Sequence, residues 1–192
     1  MELLADLERD IGLRVRALRS AKGLTLDELA ERSGVSRAML SRIERGESNP
    51  TAQLLGRVCS GLDVTLSALF AVAEEPASPL SRGAAQLTWR DPGSGYLRRV
   101  VTPPGSGSPA EIVEVEFPPG ATVALESLHL PDADQQVFVL EGRMELTVGE
   151  RTYALDTGDC LHMHFGEPIV FRNPSDRTTR YVLVVCNGAR RN

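Results

Sequence analysis

Apolar positions over the first seventy residues recur at helical spacing. Leu7, Ile11, Val15 and Leu18 predict a helix over roughly Asp6 to Lys22, closed by Gly23. Thr25-Leu26-Asp27-Glu28 has the form of a capping box and opens a second helix running to about Arg32. Val35, Leu40 and Ile43 share one side of a third helix, Ser36 to Arg45, with Ser36 as N-cap and Gly46 just past its end. Asn49 is expected to cap a fourth helix with Pro50 in its first position, where a missing N–H costs nothing. Leu54, Leu55, Val58 and Leu62 give that helix its apolar face, and Thr65 to Phe70 predicts a short fifth helix.

Further along, the period falls from 3.6 to 2. Strands are expected at Gln86 to Trp89, Tyr96 to Thr102, Ala110 to Phe117, Thr122 to Leu128 and Gln135 to Leu140. Others are expected at Met144 to Val148, Thr152 to Leu155, Cys160 to Phe165, Ile169 to Arg172 and Arg180 to Cys186. Pro118-Pro119-Gly120, Glu141-Gly142 and Thr157-Gly158-Asp159 read as turns. Short strands with evenly spaced turns predict an antiparallel sandwich or barrel. The segment between the two patterns, Ala71 to Gln86, has two prolines, small residues and little apolar period, which predicts a flexible linker. The expected division is therefore 1–70, a linker 71–85, and 86–192.

Composition adds little to this picture and excludes two classes. No apolar run approaches the ~20 residues of a membrane span, and the charged N-terminus has no signal-peptide pattern, so a cytoplasmic protein is expected. The net charge of −5 argues at first against nucleic acid. Its distribution softens that: ten basic and ten acidic residues fall up to Phe70, and the remaining eleven basic and sixteen acidic residues hold the whole deficit. A neutral domain with clustered arginines can still bind DNA. Cys59, Cys160 and Cys186 have no metal-binding spacing and read as buried thiols; Cys160 and Cys186 lie on strands that could be adjacent, which leaves a thiol switch open.

The outward side of the third helix carries Arg37, Ala38, Ser41, Arg42 and Arg45. Guanidinium forks suit guanine edges and phosphates, and a small residue permits close approach to a groove. The run S-G-V-S-R-A-M-L-S-R-I-E-R-G-E-S-N-P, Ser33 to Pro50, resembles the recognition half of the XRE/Cro-type helix-turn-helix family of bacterial and phage repressors. The resemblance implies a five-helix, lambda-repressor-like domain that binds double-stranded operator DNA. By that docking, Arg37, Ala38 and Arg42 would reach base edges with Met39 nearby, and Ser36, Ser41, Arg45, Asn49 and Thr51 would sit near phosphates.

A second resemblance covers about Glu111 to Val185. Pro118-Pro119-Gly120, V-F-V-L-E-G ending at Gly142, the Gly158-Asp159 pair and F-R-N-P-S-D around Asn173 are similar to a cupin, an antiparallel β-barrel of the double-stranded β-helix type. Metal-binding cupins use three histidines and a glutamate. Aligned on Gly120, Gly142 and Gly158, those positions hold His129, Pro131, Gln135 and Ile169, so one ligand of four remains and neither metal nor cofactor is expected. A displaced site of His129, His162 and His164 stays open as an alternative, since His162 and His164 alternate along a strand and share a face. The barrel is the natural ligand pocket. Tyr96, Arg98, His129, Gln135, Phe138, His164 and Arg172 are its candidate lining, with Arg98 and Arg99 on opposite faces. A lining arginine favours an anionic or zwitterionic effector.

The chain therefore reads as a homodimeric transcriptional regulator whose cupin senses a small molecule and which has no catalytic residues. Because the linker is flexible by composition, the effector is expected to act by resetting the spacing of two helix-turn-helix units. A metal-dependent cupin enzyme joined to a DNA-binding domain, and a cupin that only dimerises, are the alternatives.

Overall fold

The computed structural model describes residues 2–70, 78–127 and 133–187. Four helices of two turns or more come first: α1 (Glu2–Ala21), α2 (Leu26–Ser33), α3 (Arg37–Glu44) and α4 (Ala52–Leu62). A single helical turn, Leu66–Phe70, follows, so the five-helix expectation reduces to four helices and a turn. The local rules act as the sequence suggests at α2 and α3. Thr25 and Glu28 complete a reciprocal capping box at α2, and the Ser36 hydroxyl accepts the Met39 N–H at 3.3 Å at the start of α3. Beyond α3, Gly46 adopts φ 66°, and the Gly46 and Glu47 N–H groups donate back to Ile43 and Arg42. This is the paired hydrogen-bond pattern of a left-handed glycine cap. At α4 the expectation is corrected. The cap is Thr51, whose hydroxyl accepts the Leu54 N–H, and the helix begins at Ala52, beyond Asn49 and Pro50.

Ten strands follow: β1 (Thr88–Arg90), β2 (Leu97–Val100), β3 (Ala110–Phe117), β4 (Thr122–Leu125), β5 (Ala133–Glu141), β6 (Arg143–Val148), β7 (Arg151–Asp156), β8 (Cys160–His164), β9 (Ile169–Arg172) and β10 (Thr179–Asn187). They form two separate antiparallel sheets, β1-β2-β3-β10-β5-β8 and β4-β9-β6-β7. The closed barrel is thus corrected to two facing sheets that share no strand pairing among the described residues. Val113, Val115, Phe117, Val137, Val139, Tyr181, Leu183 and Val185 of the larger sheet meet Val123, Met144, Leu146, Ile169 and Phe171 of the smaller one in the core. Asn173 pins one end: its amide donates to the carbonyls of Phe117, Pro118 and Arg177 at 2.7–3.1 Å. β8 and β10 both flank β5, so Cys160 and Cys186 lie on strands separated by a third, not on neighbours. Of the three thiols expected to be buried only Cys59 is, Cys160 being exposed and Cys186 half-buried.

The helical and β portions share one continuous apolar core. α4 lies against β4, where Gly56 leaves room for Leu125. Phe70 packs against Trp89 with ring centroids 5.4 Å apart and planes tilted by 43°, and Trp89 meets Tyr96 edge-on at 5.7 Å. The loop after β1 reaches back to the start of α4. There the Ala52 N–H donates to the buried Asp91 carboxylate at 2.8 Å, while its other oxygen accepts the Ser94 N–H (2.7 Å) and O–H (2.6 Å). Residues 71–77 of the expected linker lie outside the described residues, but these contacts join the two portions directly. Among the described residues no helix is long and apolar enough to cross a membrane.

Candidate nucleic-acid interface and interdomain cavity

α3 is fixed from behind. Arg19 of α1 holds Glu44 through two parallel hydrogen bonds of 2.6 and 2.9 Å and donates a third bond to the Leu24 carbonyl. Gly12 brings α1 so close to the Ile43 carbonyl that any side chain would collide with it. With Leu40 and Ile43 buried, the opposite side of α3 faces solvent: Ser36, Arg37, Ala38, Arg42 and Arg45 are exposed, and Met39 and Ser41 are half-buried at its edges. Asn49 is exposed beside them, and Thr51 is half-buried with its hydroxyl engaged in capping α4.

The arginines on this face have partners within the chain. Arg37 pairs with Asp27 at 3.2 Å. Arg45 forks onto both oxygens of Glu47 at 2.7 Å and also donates to the Ser41 hydroxyl, while Arg42 reaches the Glu47 carbonyl at 3.4 Å. The hydrogen bonds from Arg45, reinforced by the charges of Arg45 and Arg42, hold the Glu47 carboxyl below its ordinary value of 4.5. Sequence reasoning does not single out Glu47. Its signal lies in Gly46, whose left-handed turn folds the next residue back over the helix end.

A cavity of about 70 Å3 opens where the sandwich meets the helical portion. Gly56, Cys59, Thr65 and Leu66 form one wall, and Arg98, Leu125, Gln135, Phe171, Leu183 and Val185 form the other. A neighbouring space of about 30 Å3 shares Leu66, Arg98 and Leu125 with it and extends to Tyr96 and Tyr181. Arg98 is only 4% exposed, and its guanidinium lies 5.6 Å from the centre of the Phe70 ring, so a strand residue and the Leu66–Phe70 turn meet across the boundary. Arg99 faces the other way and pairs with Glu114. Two exposed carboxylates, Glu126 and Glu167, complete the rim, and Glu126 lies 3.6 Å from Arg57 of α4. Burial pushes the Cys59 thiol well above its usual range, so it lines this space as an inert group.

Of the expected lining, Tyr96, Arg98 and Gln135 face these spaces. Phe138, His164 and Arg172 do not. Phe138 and His164 stand on the outer face of the larger sheet, and Arg172 is exposed on the smaller one, paired with Glu145 at 2.8 Å. His129 and Pro131 lie outside the described residues. Among the described residues, Gln135 and Ile169 of this cavity stand at two of the four cupin donor positions, and a neutral amide with an alkyl chain is a poor donor pair for a divalent ion.

Comparison with known proteins agrees with this two-part reading. Residues 15–69 match the helix-turn-helix family HTH_3, and residues 113–186 match the cupin domain family Cupin_2. Over 181 residues the chain is 27% identical to the HTH-type transcriptional regulator SutR of Escherichia coli, covering 93% of this chain and 95% of that one. It is 25% identical to the HTH-type transcriptional regulator PuuR of the same organism, covering 89% and 91%. The crystal structure of an HTH_3 family transcriptional regulator from Vibrio cholerae superposes with a TM-score of 0.77 at 26% identity, over 96% of this chain and 99% of that one. The chain is therefore a transcriptional regulator in which a helix-turn-helix domain is followed by a cupin domain.

Proposed function

We propose that this cytoplasmic regulator binds operator DNA through α3 as a homodimer, and that a small zwitterionic effector in the interdomain cavity sets its affinity. The observation that carries the reading is the cavity's construction: α4 and the Leu66–Phe70 turn supply one wall and the sandwich supplies the other. A ligand shifts an equilibrium only by binding one arrangement better than another. Here the cavity, about 70 Å3, is under half the ~150 Å3 that accommodates benzene in an engineered core. A ligand of amino-acid size must therefore part α4 from β4, and the liganded arrangement differs from the empty one at the helix that follows the recognition helix. This direct route takes the place of a flexible linker as the means of coupling.

The chemistry of the walls favours an amino-carboxylate. Arg98 offers a partly desolvated guanidinium to a carboxylate, and Glu126 and Glu167 at the rim suit an ammonium group. The outer face of the larger sheet presents Ile112, Phe138 and Leu140, each about two-fifths exposed, which supports a second copy there. Two copies are needed because one recognition helix spans a single half-site, and two must lie roughly 34–36 Å apart. The missing donor set argues against a metal-dependent reaction in the cavity.

The test is a thermal-shift screen of small amino acids, amines and carboxylates on the full-length chain, followed by operator titration with each hit. A true effector raises the melting temperature, loses affinity in Arg98→Leu and alters operator affinity about 5- to 150-fold, the usual range of such coupling. A hit that binds Arg98→Leu as well as the parent, or that leaves operator affinity unchanged, refutes the reading.

A further inference from the structure

Away from the cavity, both described histidines gather at one edge of the larger sheet. β8 is that edge strand, and along it His162 and His164 alternate with Leu161 and Met163. Met163 is buried in the core, so the two imidazoles stand on the outer face. β5 runs beside them. Its Asp134 is directly across from His164, and its Gln136 is across from His162. The His162 Nε2 lies 3.3 Å from the Asp134 carboxylate, and the two imidazole rings meet edge to face with centroids 4.7 Å apart. One donor atom from each of the three residues lies within 4.8 Å of the others.

Two imidazoles and a carboxylate are a borderline donor set, suited to zinc, nickel or copper rather than to magnesium or calcium. Bonds of about 2.0–2.2 Å to nitrogen and oxygen require donors a little over 3 Å apart. The His162–Asp134 pair is already at that separation. His164, exposed and free to rotate about two bonds, needs only a modest turn to join them. The strands, in contrast, are held by the ladder between β5 and β8, so the backbone needs no rearrangement. Residue 134 serves the outer face while Gln135 next to it serves the cavity, so this site is separate from the effector space.

We propose that Asp134, His162 and His164 form a surface site for a single divalent transition metal of the zinc class, with its remaining coordination positions open to solvent or to a ligand from another molecule. The third donor differs from the three-histidine set considered from the sequence: it is a carboxylate on the neighbouring strand.

The experiment uses full-length protein freed of metal with EDTA. Zinc is titrated by calorimetry, and cobalt(II) is titrated with its visible spectrum as a report of nitrogen and oxygen coordination. The expected result is one equivalent per chain, weakened at least tenfold in Asp134→Asn, His162→Ala and His164→Ala, since losing even a supporting group around a metal costs 10–100-fold. His129→Ala and Cys186→Ser should bind as the parent does. Parent-like melting and operator binding of the variants show that they are folded, which is expected for substitutions on the exposed face. The proposal is overturned by sub-stoichiometric binding in the parent, by a His162→Ala/His164→Ala double variant that binds as well as the parent, or by a requirement for His129 or Cys186 in place of Asp134.

Discussion

Removing the Asp91 carboxylate tests whether the two domains are one cooperative unit. Asp91 is 3% exposed and accepts three hydrogen bonds, one from Ala52 at the head of α4 and two from Ser94 in its own loop. In Asp91→Ala the Ala52 N–H loses its partner at a helix start, a loss of about 0.5–2 kcal/mol by analogy with N-cap removal. The Ser94 N–H loses a charged acceptor, worth about 1.5–3 kcal/mol net. The Ser94 hydroxyl can rotate to water. A total near 3 kcal/mol corresponds to a fall in melting temperature of about 6–12 °C for a chain of this length. Differential scanning calorimetry reads both the size and the shape of the change. The parent should melt in one transition; the variant should melt earlier and split, the DNA-binding half leaving first. Ser94→Ala, which keeps the Ala52 bond, should lower stability less and keep a single transition. A melt of Asp91→Ala that superimposes on the parent would show that the contact carries no stability and that the domains are independent.

Other perturbations address the remaining interactions. Arg42→Ala should relax discrimination at one base pair per half-site by about 1–3 kcal/mol, measured on a panel of single-substitution operators. Glu47→Gln should free Arg45 for a phosphate, tighten binding to all sequences, and steepen the slope of log K against log salt by about 0.9 for each phosphate newly neutralised; unchanged slopes would mean that Arg45 does not reach the backbone. Gly12→Ala should lower stability by about 1–3 kcal/mol despite alanine's better helix propensity, because its Cβ must displace the Ile43 carbonyl; denaturant midpoints decide the sign. Glu114 is held below its ordinary 4.5 by hydrogen bonds from Arg180 and Arg99 and by their charges. Its contribution is therefore present above the unfolded value and lost as pH falls through the lower folded one. Glu114→Gln should lower the urea midpoint at about pH 7, and the gap to the parent should narrow progressively as pH falls below about 4.3, the unfolded value.

What the chain reveals before folding is mostly local. Ser36, the Thr25 box and Gly46 announce α2 and α3 because capping depends on neighbours within a few residues. β3 and β9 are legible to the residue because turn-forming residues bracket them, Ser108-Pro109 and Pro118 around β3 and Pro168 and Asn173-Pro174 around β9. β5 is harder. Val137-Phe138-Val139-Leu140 is apolar on both faces, so its phase cannot be read locally, and the expected inward Phe138 in fact points out. The same ambiguity hides His164 on the outer face. Arg98 and Arg99 can be split between faces from alternation, but only the Phe70 ring arriving from the helical half explains why Arg98 is the buried one. Asn49 loses the cap of α4 to Thr51, two positions on, a margin that propensity alone does not resolve. Sheet closure and the union of the two domains depend on contacts distant in sequence, and neither leaves a periodic signature.

The contact between Asp91 and the head of α4 also orders events during translation. The Ala52 N–H waits for a carboxylate thirty-nine residues downstream, and the Phe70 ring waits for Trp89 and Arg98. A nascent chain emerges N-terminus first, at about 5–20 residues per second. For several seconds the DNA-reading half is therefore outside the ribosome with its fourth helix unfinished. A message that ends early, or a chain clipped before Asp91, yields a loosened reader that is open to proteolysis and a poor competitor for operators. Completion of the β portion supplies both missing partners, so the helical half reaches its full stability only when the chain beyond Arg98 has been made.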